Sequence, residues 1–176
     1  MQNILNKFLF FFMLFFFISP VYSLVTPNFQ IEKSLSAESL TFESYQVQQN
    51  ESMTVGGFTY QRFFDKSKLF WGGTGYGALL GDRGGYFIGG FILGYDHYFS
   101  ENFFVEPLIF VGGGGGHGAP QGGGGILRPS IAVGYLLTDS IFIKLQTGYI
   151  DFINGQIKSW LTGFTIGYNF YDVYGR

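Results

Sequence analysis

Few side chains in this sequence can do chemistry, and their spacing narrows the choice further. Cysteine is absent, which removes disulfides, thiolate metal sites, cysteine nucleophiles and a lipidated N-terminal cysteine. The histidines are His97 and His117. An acyl-transfer relay needs a histidine held between a serine and a carboxylate. His97 stands in an aromatic run, Ser100 falls in a turn, and His117 is embedded in glycine, so no such grouping is legible. His117 is a candidate for surface contact with a partner. One imidazole without a second ligand nearby does not make a metal site, and the sequence calls for neither metal nor cofactor.

The other group is Asp96, Glu106, Arg128 and Lys144. A tight turn that sets Phe99 against Phe103 places Asp96 directly opposite Glu106. Two adjacent carboxylates in a confined space repel, so either one keeps its proton or a cation bridges both. Lys144 lies at similar depth on a later run with the same facing, and Arg128 lies nearer the far rim. Together the four are expected to form a polar network inside an enclosed interior, with Lys144 reaching the carboxylates. An acid–base pair or proton path is the functional alternative. Arg62 is assigned to neither face.

The elements that must position these residues read as strands. From about Leu40 onward, aromatic and β-branched runs alternate with short clusters of Gly, Asn, Asp and Ser that close hairpins. The runs are 39–49, 53–64, 69–80, 86–98, 103–112, 125–137, 141–151 and 157–170, eight in all. The last alternates best: Trp160, Thr162, Phe164, Ile166, Tyr168 and Phe170 share one face, and Leu161, Gly163, Thr165, Gly167 and Asn169 the other. Across the later runs the less apolar face holds small residues and isolated charges. That suits the narrow inside of a small barrel, while the large apolar face suits lipid. Length agrees, because a tilted transmembrane strand needs about 9–11 residues. Aromatic clusters at the run ends, Tyr86–Phe87, Tyr95 to Phe99, Phe103–Phe104 and Tyr168 to Tyr171, are read as interfacial girdles.

Between the fifth and sixth runs, residues 112–125 contain ten glycines in fourteen positions. Several Gly-x-Gly-x-x-Gly registers occur in it trivially, and no helix follows to receive a phosphate. It is read as a flexible surface loop or as glycine-lined strand ends that let backbones approach closely.

Met1–Ser23 carries Lys7, an 11-residue apolar core from Phe8 to Ile18, and Val21 and Ser23 at the −3 and −1 positions of a cleavage site. These are the parts of a secretory signal peptide, and the core is too short to span a bilayer. The expected organisation is a signal peptide at 1–23, a polar, mostly irregular periplasmic lead-in at 24–38, a barrel at 39–170 and a tail at 171–176. Twelve acidic against ten basic residues, a net charge of −2, give no electrostatic basis for binding nucleic acid.

With the signal peptide and the eight alternating strands, the terminal stretch Gly163-Phe-Thr-Ile166-Gly-Tyr168-Asn-Phe170 resembles the small outer-membrane barrels of the opacity and OmpX type. Its glycine, apolar and aromatic spacing is similar to the sorting signal read by the barrel-assembly machinery. The chain departs from that pattern in continuing to Arg176. The resemblance implies an all-β, eight-stranded antiparallel up-and-down transmembrane β-barrel in the outer membrane of a Gram-negative bacterium, and no particular activity. Turns at 65–68, 100–102 and 138–140 are then periplasmic, and connections at 50–52, 81–85, 112–125 and 152–156 extracellular. The expected role is structural or surface-interacting. Its partners would be outer-membrane lipid, the assembly machinery and an extracellular protein or glycan. A lipid A deacylase or acyltransferase, or a soluble lipocalin-like binder of apolar ligands, are the competing readings.

Overall fold

The computed structural model describes residues 31–48, 51–64, 67–81, 84–116 and 118–175. The signal peptide at 1–23, residues 24–30 of the lead-in, and His117 lie outside them. Eight strands are present among the described residues: β1 Ile31–Gln48, β2 Glu51–Phe63, β3 Leu69–Leu80, β4 Phe87–Tyr95 continuing after Asp96 as His97–Tyr98, β5 Phe103–Gly115, β6 Gly125–Leu136, β7 Ile141–Phe152 and β8 Lys158–Gly175. Each pairs with its neighbour in sequence, and β1 pairs with β8, so the sheet closes on itself. No strand edge runs the length of the barrel, which is how an all-β fold avoids edge-to-edge association. Phe64 with Ser67 and Lys68, residues 99–102 and residues 137–140 lie at the turn end, and the opposite rim forms the loop end.

Alternation decides which side chains go inside. On β8, Leu161 and Thr165 are buried while Trp160, Phe164, Ile166 and Tyr168 are exposed. On β6, Arg128 and Ala132 are buried while Leu127, Ile131, Val133 and Tyr135 are exposed. The outer wall is therefore largely apolar, while Glu43, Glu106, Arg128 and Lys144 lie inside. Phe91 is 72% exposed at mid-strand, whereas Glu106 is 2% exposed.

The interior holds more than small residues. Phe70, Phe104 and Phe142 point inward near the turn end and are buried. Each stands directly across the ladder from a glycine: Phe70 from Gly94, Phe104 from Gly134 and Phe142 from Gly167. A methyl group on any of the three glycines would overlap the facing ring. Tyr76 lies over Gly57 in the same way. A narrow barrel accommodates a large inward ring only where the adjacent strand gives up its side chain. The loop half is filled by apolar side chains, among them Met53, Val55, Ile88, Phe110, Ile126, Ile150 and Phe152.

Several boundaries and facings differ from the sequence reading. The first strand starts at Ile31, inside the stretch read as irregular, and the last continues to Gly175, through the stretch read as a tail. Tyr86 and Phe104 turn inward and are buried, so the girdles are made by others, among them Tyr95, Phe99, Phe103, Tyr135 and Tyr168. The glycine tract is strand at both ends: Gly112 to Gly115 continue β5, and Gly125 opens β6. Gly112 to Gly115 pair with Gly90 to Phe87, and a methyl group on Gly112 would collide with the Gly89 carbonyl and the Phe110 ring. This is the close-backbone alternative, and it shortens the connection to residues 116–124. That connection folds onto the next one: the Gln156 amide donates to the Pro120 carbonyl at 2.8 Å and the Ile153 amide to the Gly125 carbonyl at 2.8 Å. Gly122, at φ 57°, lies against the Asn154 carbonyl with no room for a side chain.

Candidate functional site

Two ion-paired clusters occupy the barrel interior. Nearer the turn end, β5 and β7 bring Glu106 and Lys144 together, each at an inward position of its strand. Lys144 Nζ donates to Glu106 Oε1 and Oε2, both at 2.9 Å, and lies 5.1 Å from the centroid of the Phe142 ring. Gln61 Nε2 donates to Glu106 Oε2 at 3.4 Å. Asp96 faces Glu106 across the ladder, since Tyr98 pairs with Phe104 and His97 with Val105 below it, and Gly94 with Leu108 above. It is 5% exposed, and its Oδ1 is buried without a hydrogen-bond partner. Its backbone amide donates to the Lys68 carbonyl at 3.0 Å. Lys144 closes on Glu106. Among the described residues it makes no ion pair with Asp96.

Toward the loop half, Arg128 on β6 meets Glu43 on β1 through Nη1. Its Nη2 donates to the Tyr76 hydroxyl at 3.1 Å, and its guanidinium stacks 4.8 Å from the Phe110 centroid and 5.0 Å from that of Tyr76. Gln146 Nε2 donates to the second Glu43 oxygen. Glu43 is thus fully engaged, as a buried carboxylate must be if it is to stay charged. The sequence reading omitted Glu43, although Ser39, Thr41 and Glu43 alternate with Leu40 and Phe42 and so share the inward face. It also placed Arg128 without a carboxylate partner.

Between the clusters lies a cavity of about 20 Å³ lined by Thr41, Thr59, Gln61, Tyr76, Glu106, Arg128, Lys144, Gln146 and Thr165, among others. That is room for about one water molecule. Inter-strand hydroxyl pairs, Thr41 with Thr165 at 2.9 Å and Thr59 with Thr74 at 2.7 Å, tie its walls. Above it the apolar loop half is closely filled. The arrangement can hold charge and a proton in an enclosed interior.

The remaining candidates lie elsewhere. His97 is exposed on the outer wall with its ring against Phe99, centroids 4.8 Å apart. Ser100 caps the turn, accepting from the Phe103 amide at 3.1 Å. Arg62 belongs to the outward face, where its Nε donates to Ser34 Oγ at 3.4 Å. Beside it Asp172 accepts from Ser36 Oγ at 2.6 Å and from the Tyr60 hydroxyl at 2.7 Å.

No protein-family model matches the chain, and no curated protein matches it by sequence. Solved structures do match. The N-terminal β-barrel domain of Pseudomonas aeruginosa OprF aligns with a TM-score of 0.56 at 11% identity, over 80% of this chain and 100% of that one. A transmembrane β-barrel designed de novo aligns with a TM-score of 0.50 at 13% identity, over 78% of this chain and 95% of the other. At such identities the likeness is one of fold: the chain has the architecture of the small eight-stranded outer-membrane β-barrels.

Proposed function

We propose that this chain is an outer-membrane barrel with a structural or surface-interaction role, closed to solutes. The observation that carries the reading is the inversion of the wall. Large apolar side chains such as Phe91 and Leu145, 72% and 67% exposed, face outward over most of a closed sheet whose buried ion pairs, Arg128–Glu43 and Lys144–Glu106, are inside. In water that surface would be an aggregation hazard; in a bilayer it is the solvated face. The turn end is then periplasmic and the loop end extracellular. Among the described residues, the surface offered outward holds residues 84–86, residues 118–124 and the 153–157 turn folded against them. An extracellular protein or glycan would meet that cap. The last strand would be the one engaged by the assembly machinery.

The test combines fractionation with electrophysiology. The barrel is expected in the detergent-requiring membrane fraction, to migrate differently on a gel before and after heating, and to give no steady single-channel current in planar bilayers. Recovery in a detergent-free periplasmic extract would reject the membrane reading. A large stable current would reject the closed interior.

A further inference from the structure

The apolar outer wall is broken on one side only. At the loop end, outward positions on β3 to β6 hold Leu79, Phe87, Val111 and Leu127, all well exposed. The corresponding outward positions on β1, β2 and β8 hold Ser44, Gln46, Ser52, Thr54 and Thr162. The polar side coincides with the seam where the first and last strands meet. There the Gln46 amide donates to Ser159 Oγ at 3.1 Å. An open notch of about 560 Å³ lies at that point, lined by Ser44, Gln46, Ser52, Tyr149, Lys158, Trp160 and Thr162, among others.

Its chemistry is specific. Trp160 is 71% exposed and is braced edge-on by Tyr149, with ring centroids 5.6 Å apart. A large flat ring beside hydroxyl and amide groups suits a sugar, whose C–H face packs on the aromatic while its hydroxyls reach the polar rim. Lys158 is paired with Asp151 at 3.2 Å, so the one cation lining the notch is balanced by a carboxylate and the site has no excess positive charge to favour a phosphate over a neutral sugar. Directly toward the turn end the same two strands become apolar. Leu40 and Phe42 on β1 stand beside Phe164 and Ile166 on β8, all outward and exposed. Polar notch above apolar stripe is the profile of a single amphiphile lying along the wall.

We infer that the seam holds one glycolipid of the outer leaflet, its sugar headgroup in the notch against Trp160 and its acyl chains along Phe42 and Phe164. The inference rests on the membrane reading above. It is tested by inserting the full barrel into phosphatidylcholine discs doped with diglucosyl diacylglycerol and measuring lipids retained by native mass spectrometry. One diglucosyl lipid should be held in preference to phosphatidylcholine. Trp160→Leu and Gln46→Leu, both on the outer wall, should each lower that retention about tenfold, the scale of one lost polar or stacking contact in a dry site. Heat-modifiable migration of both variants checks that they fold. Equal retention of the two lipids, or retention unchanged by Trp160→Leu, overturns the inference, as does equal competition by free maltose. A barrel that will not enter the disc overturns the membrane reading and this inference together; insertion without selectivity overturns the inference alone.

Discussion

Lys144 Nζ lies 2.9 Å from both carboxylate oxygens of Glu106, and Asp96 stands across the ladder from that same glutamate. One ammonium therefore compensates a carboxylate whose neighbour is also acidic. Replacing Lys144 with alanine leaves Glu106 buried beside Asp96 with no cation to balance it, and removing one member of a truly buried pair costs about 3–5 kcal/mol. Water in the adjoining cavity reduces that figure. Lys144→Ala should lower the urea midpoint in detergent at neutral pH, and adding Glu106→Gln should restore much of it. A double variant no more stable than Lys144→Ala alone would contradict the pairing.

The Arg128–Glu43 pair makes a second case with a different balance. Arg128 fills space between Phe110 and Tyr76 as well as carrying charge. Arg128→Ala should lose about 3–5 kcal/mol, since it orphans Glu43 and opens a void. Arg128→Met with Glu43→Leu removes both charges and keeps volume, and such swaps are often neutral or stabilising. Denaturant unfolding of the single and double variants gives the comparison. A double variant as weak as Arg128→Ala would mean that packing, rather than the ion pair, dominates at this site.

Glycines facing rings supply a steric prediction. Gly134→Ala drives a methyl group into Phe104, and overpacking of this kind costs about 1–3 kcal/mol. Phe104→Leu in the same chain should relieve part of the loss. Gly84, with open space around its Cα, should accept alanine within about 0.5 kcal/mol. Equal effects at Gly134 and Gly84 would argue against the tight Phe104 contact.

The wall itself can be titrated with one charge. Phe91 is mid-strand and outward, so Phe91→Arg should cost about 2–4 kcal/mol in a lipid bilayer, the depth-dependent cost of arginine near the midplane. In water the same substitution on an exposed site would be close to neutral. Reversible unfolding from phosphatidylcholine vesicles reads the difference directly.

Much of this architecture is legible in the chain because the later strands alternate strongly. The facings of Trp160 to Asn169 and of Leu127 to Leu137 follow from period two alone, and the tight turn at 100–102 fixes the register that opposes Asp96 and Glu106. Glu43 escaped because its strand gives weak contrast between faces. Ser36 is fully buried on the outer wall beneath Tyr60 and Asp172, while Ala37 and Ser39 are buried on the inside. Polar residues thus occupy both sides, and neither the facing nor the start at Ile31 can be read from polarity. The Arg128 partnership was hidden for another reason: it joins β6 to β1 across the lumen, and no turn links those strands. The glycine tract left two readings open, since glycine serves equally in a loop and where two backbones must nearly touch.

Three hairpins, β3–β4, β5–β6 and β7–β8, are joined at the loop end, and each carries its phenylalanine–glycine contact at the opposite end. A strand sliding by two residues would keep every side chain on its proper face, so alternation alone does not forbid that error. The slip would set Phe70 against Ile92 or Asp96, Phe104 against Ala132 or Leu136, and Phe142 against Thr165 or Asn169. Every one of those positions carries a side chain where the ring must lie. The glycines therefore act as proofreading marks: a hairpin zipped in the wrong register cannot seat its ring.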